Sequence, residues 1–101
     1  MVTTLTQENF VCEVHDATKP VLVEFWAERC PACKTMIPLF ESASEVESEA
    51  KFCRLNVDEE PELANRYEIR SIPTTLLFRS GEPTKRLVGI CSPKALLKML
   101  N

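Results

Sequence analysis

Apolar and polar positions along the chain fall into short runs of two kinds. Val21-Leu-Val-Glu-Phe-Trp26 is almost continuously apolar and rich in strand formers, and Pro20 opens it. That is the pattern of a strand covered on both faces of a sheet. After Cys30, the positions Met36, Leu39, Phe40, Ala43 and Val46 follow the i, i+3, i+4, i+7 rhythm of a long amphipathic helix. Pro38 falls inside it, removes one backbone hydrogen bond and predicts a bend about a turn beyond the cysteines.

Weaker signals complete the order. Thr6 predicts a cap for a first helix over residues 7–15, with Phe10, Val11 and Val14 on one face. Phe52 to Val57 reads as a strand, Pro61 starts a short helix carrying Leu63 and Tyr67, and Ile72-Pro73 precedes a strand from Thr74 to Phe78. Ser80-Gly81 marks a turn, and Lys85 to Ile90 continues as a strand antiparallel to the previous one. Ser92 caps a last helix, with Pro93 at its first position and Leu96, Leu97 and Leu100 as the buried stripe. With Val2 to Leu5 as a short first strand, the order is β-α-β-α-β-α-β-β-α. This predicts an α/β domain: a central mixed five-stranded sheet flanked by four helices, with helices on both faces.

Composition narrows the function classes. A chain of 101 residues, 45% hydrophobic, is expected to form one domain over residues 1–101 with no linker. Its net charge of -3, with twelve scattered Lys and Arg, offers no broad positive field, so no nucleic-acid partner is expected. The N-terminus lacks the basic start and apolar stretch of a secretory signal. The longest apolar run, Val21 to Ala27, is broken by Glu24 and is far below the roughly 20 residues of a membrane span, so a soluble protein is expected. Of five cysteines, only Cys30 and Cys33 lie close in sequence, which argues against a disulfide-stapled scaffold and for a reducing compartment. Cys12, Cys53 and Cys91 sit among apolar neighbours and read as core filling.

Cys30-Pro-Ala-Cys33 follows a predicted buried strand and opens a helix, the setting in which a C-x-x-C pair reads as redox chemistry. With Cys30 as N-cap and Pro31 at the first helical position, free N–H groups and the positive end of the helix dipole face the Cys30 sulfur. Because the thiolate is the attacking species, a thiol with an ordinary pKa near 8.5 becomes a better nucleophile there. Cys33, a turn further in, is placed to attack the resulting mixed disulfide and release the reduced substrate. The competing reading is half a zinc site, which needs two further ligands. The sequence offers no second C-x-x-C, only His15 and three isolated cysteines.

Val21-Leu-Val-Glu-Phe-Trp-Ala-Glu-Arg-Cys-Pro-Ala-Cys-Lys34 resembles the active-site segment of the thioredoxin family. The resemblance spans nearly the whole chain. Pro38 matches the family's bend in the active-site helix, Ile72-Pro73-Thr74 its cis-proline loop, Ser80-Gly81 its hairpin turn and Gly89 its late glycine. It implies the thioredoxin fold and a monomeric cytoplasmic electron carrier that reduces protein disulfides. Such a carrier holds no cofactor of its own and is recharged by a flavin-containing thioredoxin reductase. It also implies that Pro73 is cis, that the backbone of Ile72 pairs with an extended substrate, and that Trp26, Pro73, Gly89 and Ile90 border an apolar docking surface, with Arg29 and Pro31 beside the dithiol.

Several residues bear on how that site is tuned. The family's usual residues between the cysteines are here Pro31 and Ala32, and Arg29 stands where an aromatic residue is common. A cation beside Cys30 favours its thiolate, and stabilising the dithiol form makes the pair less reducing than a typical thioredoxin. Glu24, a carboxylate amid Val21, Leu22, Val23, Phe25 and Trp26, takes the place of the family's aspartate. Burial should raise its pKa and suit it to relay a proton from Cys33 through water, against the alternatives of a partly solvated residue or a structural ion pair. Arg54 supplies a candidate counter-charge. Trp26 beside the dithiol is a candidate reporter of redox state. Competing functions are a protein oxidase or isomerase, a glutathione-linked carrier, and a redox-inactive binding module that uses the fold for docking.

Overall fold

Strand β2 (Val21–Trp26) occupies the middle of a five-stranded sheet because both of its faces are apolar. On one side lie β3 (Lys51–Asn56) and then β1 (Thr3–Thr4), parallel to β2; on the other lies β4 (Thr74–Arg79), antiparallel to β2, and then β5 (Glu82–Val88), antiparallel to β4, giving the order β1-β3-β2-β4-β5. This computed structural model describes all of residues 1–101. Alternation along β2 splits the core into two layers. Val21, Val23 and Phe25 pack with Phe10, Val14 and Leu63, while Leu22 packs with Met36, Phe40 and Leu96. Each fully buried Leu or Phe of these layers contributes about 1.5–3 kcal/mol of transfer free energy.

The helices α1 (Pro31–Val46), α2 (Pro61–Arg66) and α3 (Pro93–Lys98) all begin with proline, whose missing N–H is unpaired at that position in any helix. Ser92 caps α3 by accepting the N–H of Ala95 at 3.1 Å. A fourth helical segment, Val11–His15, is wound as a π-helix. No helix is long and apolar enough to cross a membrane.

Several boundaries and faces differ from the sequence reading. Thr6 accepts the Asn9 N–H at 3.2 Å in a turn over residues 7–9, but the helical segment itself has Phe10 as its N-cap with no side-chain cap, and the Asp16 N–H reaches back five residues to the Val11 carbonyl at 2.9 Å. The wider turn aligns Phe10 with Val14 in the core and leaves Val11 exposed. Cys12 shares that outward side. It is exposed rather than core filling, whereas Cys53 is buried and Cys91 half-buried. On α1 the buried stripe is Cys33, Met36, Phe40 and Ala43; Leu39 is half-buried and Val46, where the helix ends, is exposed. On α3, Leu96 and Met99 are buried, with Leu97 and Leu100 only partly so.

Strand β5 begins three residues earlier than its apolar pattern suggests. Ser80 and Gly81 both have positive φ, 53° and 81°, the two-residue turn that matches strand twist, so Arg79 pairs with Glu82 at once. Pro83 is tolerated because β5 is an edge strand with a register shift opposite Leu77 and Phe78. The strand stops at Val88, since Gly89 takes a φ of 96° that leaves the β region.

The register also assembles one end of the sheet. Phe25 pairs with Thr74 and Thr74 with Val88, so one step further out Trp26, Pro73 and Gly89 fall in a row. The Gly89 N–H closes that row by donating to the Pro73 carbonyl at 2.8 Å. The turn from β2 into α1, which carries Cys30, opens at the same end.

Candidate active site

Cys30 is the N-cap of α1, in extended conformation at φ -107° and ψ 106°, and Pro31 holds the first helical position. The backbone N–H of Cys33 donates to the Cys30 sulfur at 3.1 Å. This is the arrangement the sequence implied: an N-terminal amide and the helix dipole directed at one sulfur. The Cys30 thiol in turn lies 3.7 Å from the Ile72 carbonyl, to which it donates, so the loop before Pro73 stands against it. The Ile72–Pro73 peptide is cis.

Cys33 is fully buried. Burial pushes its thiol well above the ordinary range, a hydrogen bond with the Cys30 sulfur adds to this, and a backbone contact from Ala27 works the other way. The pair is thus asymmetric. One sulfur is partly open and receives an amide proton; the other is sealed and reluctant to ionise. Chemically, the first suits attack on an incoming disulfide, and the second suits attack on its neighbour once a base takes its proton.

Glu24 is a buried carboxylate that acts electrostatically on Cys33. It has no solvent exposure, and Arg54 donates its Nε–H to Glu24 Oε1 at 2.7 Å. Burial, the largest influence, holds the carboxyl above its ordinary pKa; the Arg54 hydrogen bond and charge pull it back, and Glu41 pushes it up again. The raised pKa and the Arg54 partner both agree with the sequence reading. Glu24 adds electrostatically to the difficulty of ionising Cys33, which places the two groups in mutual influence.

Arg29 keeps its place near the dithiol but has a second partner. Its guanidinium turns to Asp58, with Nε to Oδ2 and Nη2 to Oδ1 both at 3.0 Å. That two-pronged pair is the largest influence on the guanidinium, and Cys30 and Cys33 also act on it electrostatically, so the cation remains within the field of the dithiol. Cys30, Cys33, Ile72, Pro73 and Gly89 therefore come together, with half-buried Trp26 at the end of their row, while the Arg29 guanidinium pairs with Asp58. Ile90 and Val88 next to Gly89 are 51% and 61% exposed, apolar surface at the rim of this end of the sheet.

Sequence reasoning missed four participants. Asp58 follows β3, which lies beside β2, so its loop adjoins that of Arg29; the strand order held the signal. Glu41 offers a second carboxylate to Arg54, with Nη1 at 3.4 Å from Glu41 Oε1. Thr75 is fully buried opposite Glu24 in the β2–β4 register. The Met36 sulfur accepts the Cys91 N–H at 3.5 Å.

The family model described as Thioredoxin matches residues 1–101. The chain is 40% identical over 102 residues to a thioredoxin of Rickettsia bellii, covering all of this chain and 97% of that protein. It is 41% identical over 98 residues to a thioredoxin of Mycobacterium bovis, covering 96% of this chain and 84% of the relative. A bifunctional thioredoxin reductase/thioredoxin of Mycobacterium leprae is 42% identical over 98 residues, covering 96% of this chain and 21% of that longer protein. Fold, dithiol and end-to-end similarity agree, and the chain belongs to the thioredoxin family, the disulfide oxidoreductases that carry electrons by dithiol–disulfide exchange.

Proposed function

We propose that Cys30 is the attacking sulfur and Cys33 the resolving sulfur in the reduction of protein disulfides. The Cys30 thiolate bonds to one sulfur of the substrate, whose partner sulfur leaves with the bonding pair and takes up a proton. Cys33, after losing its proton, then attacks the Cys30 sulfur. A Cys30–Cys33 disulfide forms, the bond to the substrate breaks, and two electrons have passed from the chain to the substrate. The observation that carries this reading is the Cys33 N–H at 3.1 Å from the Cys30 sulfur, on a Cys33 that is itself sealed from solvent.

Glu24 takes the proton from Cys33 in this scheme, its basicity raised by burial. An extended substrate segment lies along the backbone of Ile72, bordered by Trp26, Pro31, Pro73, Gly89 and Ile90, with Arg29 at the rim. The exposed Ile90 and the 3.7 Å approach of Ile72 to Cys30 support that path.

Disulfide substrates and a reductase partner follow from the family. The finer reading is a flavin-containing thioredoxin reductase as donor, a single monomeric domain over residues 1–101, and a cytoplasmic location. The fused Mycobacterium leprae relative, named for both activities, supports the donor. Five unpaired cysteines, with Cys12 exposed, support a reducing compartment. Insulin reduction tests the core of the proposal: wild type should precipitate the insulin B chain with dithiothreitol as donor, and Cys30→Ser should not. Equal activity in the two would remove Cys30 from the chemistry.

A further inference from the structure

One guanidinium serves two carboxylates beneath the dithiol. Arg54 of β3 gives its Nε–H to Glu24 of β2 at 2.7 Å and its Nη1 reaches Glu41 of α1 at 3.4 Å. Glu24 is sealed, Arg54 is 15% exposed and Glu41 is 41% exposed, so the three lead from the interior to solvent. The other titratable groups that influence or are influenced by Glu24 are Cys33 of α1 and Cys91 ahead of α3, and β4 contributes only the neutral Thr75. No second cation faces Glu24. Glu24 Oε2, Arg54 Nη2 and Thr75 Oγ1, on three neighbouring strands in register, have no hydrogen-bond partner within the protein.

Charge counting shows what the sharing does. With Glu24 ionised, two negative charges compete for one permanent positive charge in a poorly solvated space. With Glu24 protonated, Arg54 and Glu41 balance each other. Glu41 therefore favours the protonated form of Glu24 by repulsion and by holding part of the guanidinium. We propose that Glu41 is a positioning residue for disulfide release: by sharing Arg54 with Glu24, it keeps the buried carboxylate basic enough to accept the Cys33 proton. The inference rests on the reading that Glu24 is that acceptor. The Cys33 S–H bond breaks to Glu24 and the sulfur keeps the electron pair. That pair forms the bond to Cys30, the substrate sulfur departs with the pair of the broken disulfide, and the proton on Glu24 returns through solvent. Without the Glu41 charge, Arg54 answers to Glu24 alone, which stays ionised to lower pH and is a weaker base.

The experiment follows both thiol steps in the reduced protein by stopped-flow reaction with 5,5′-dithiobis(2-nitrobenzoate), in a background that carries Cys12→Ser and Cys91→Ser to remove the other accessible thiols. The first thionitrobenzoate release reports attack by Cys30, and the second reports resolution by Cys33. Glu41→Gln should leave the first release unchanged, move the acid limb of the second to lower pH and slow its alkaline plateau by roughly twofold to fivefold, the scale of a partly exposed charge. Glu41→Asp should restore the wild-type profile. If Glu24→Gln leaves the second release unchanged, Glu24 is not the acceptor and the proposal falls with that reading. If Glu24→Gln slows it while Glu41→Gln leaves limb and plateau in place, the relay stands and the role of Glu41 is overturned. An equal slowing of both releases by Glu41→Gln makes its part merely structural and also overturns it.

Discussion

Glu24 and Arg54 are register partners on β2 and β3, and the Arg54 Nε–H meets Glu24 Oε1 at 2.7 Å with the carboxylate wholly inside the protein. The pair is a buried charge held by a single cation, and burial outweighs the cation in setting the proton affinity of the carboxyl.

That balance makes stability depend on pH. A carboxyl whose folded pKa stands above its unfolded one contributes stability that is fully present below the unfolded value, about pH 4.3, and is lost as pH rises through the folded value. Glu24→Gln removes the ionisation and keeps an oxygen for Arg54. Urea midpoints of the variant and wild type should differ least near pH 4, with the variant gaining relative to wild type as pH rises and reaching a plateau above the folded pKa. Equilibrium unfolding from pH 4 to 8 checks this. A relative stability of the variant that stays flat or falls with rising pH contradicts it.

The Arg29–Asp58 pair governs how much positive field reaches the dithiol. Asp58→Asn frees the guanidinium, which should stabilise the reduced form and shift the equilibrium with glutathione toward the dithiol; Arg29→Ala should shift it the other way. Both effects should stay within about fivefold in equilibrium constant, since the pair is solvent-exposed. Wild type should be less reducing than the about −270 mV of thioredoxin. A shift of the wrong sign in Asp58→Asn, or a wild-type potential at or below that value, contradicts the assignment.

Thiol accessibility separates four of the five cysteines. Iodoacetamide added to the native reduced protein should label Cys30 and Cys12 and spare Cys33 and Cys53. Cys33 is sealed beneath the active site, and burial pushes the Cys53 thiol up to about 12. Peptide mapping by mass spectrometry reads the outcome. Early labelling of Cys53 before any denaturant is added would show that the β3 core is more open than described.

Much of this is legible in the sequence alone. The apolar run of β2 announced its central place, prolines marked all three α-helix starts, and Cys30-Pro31 placed the thiol at a helix cap, because each of these signals is local. The misses were tertiary. Val11 and Cys12 face outward because the segment winds as a π-helix, a choice of hydrogen-bond partner that apolar spacing does not encode. Arg29 finds Asp58 and Arg54 finds Glu41 across 29 and 13 positions of chain, contacts fixed by strand order and helix docking. Glu24 was readable as a buried acid from its neighbours alone, but its sharing of Arg54 with Glu41 needed the α1 face in place.

Trapping with Cys33→Ser tests the division of labour between the two sulfurs most directly. Mixed with an oxidised protein substrate and quenched with acid, the variant should accumulate one covalent adduct, mapped by mass spectrometry to a disulfide between Cys30 and a substrate cysteine, while wild type accumulates none. Absence of the adduct, or its location at Cys12, would contradict the assignment of Cys30 as the attacking sulfur.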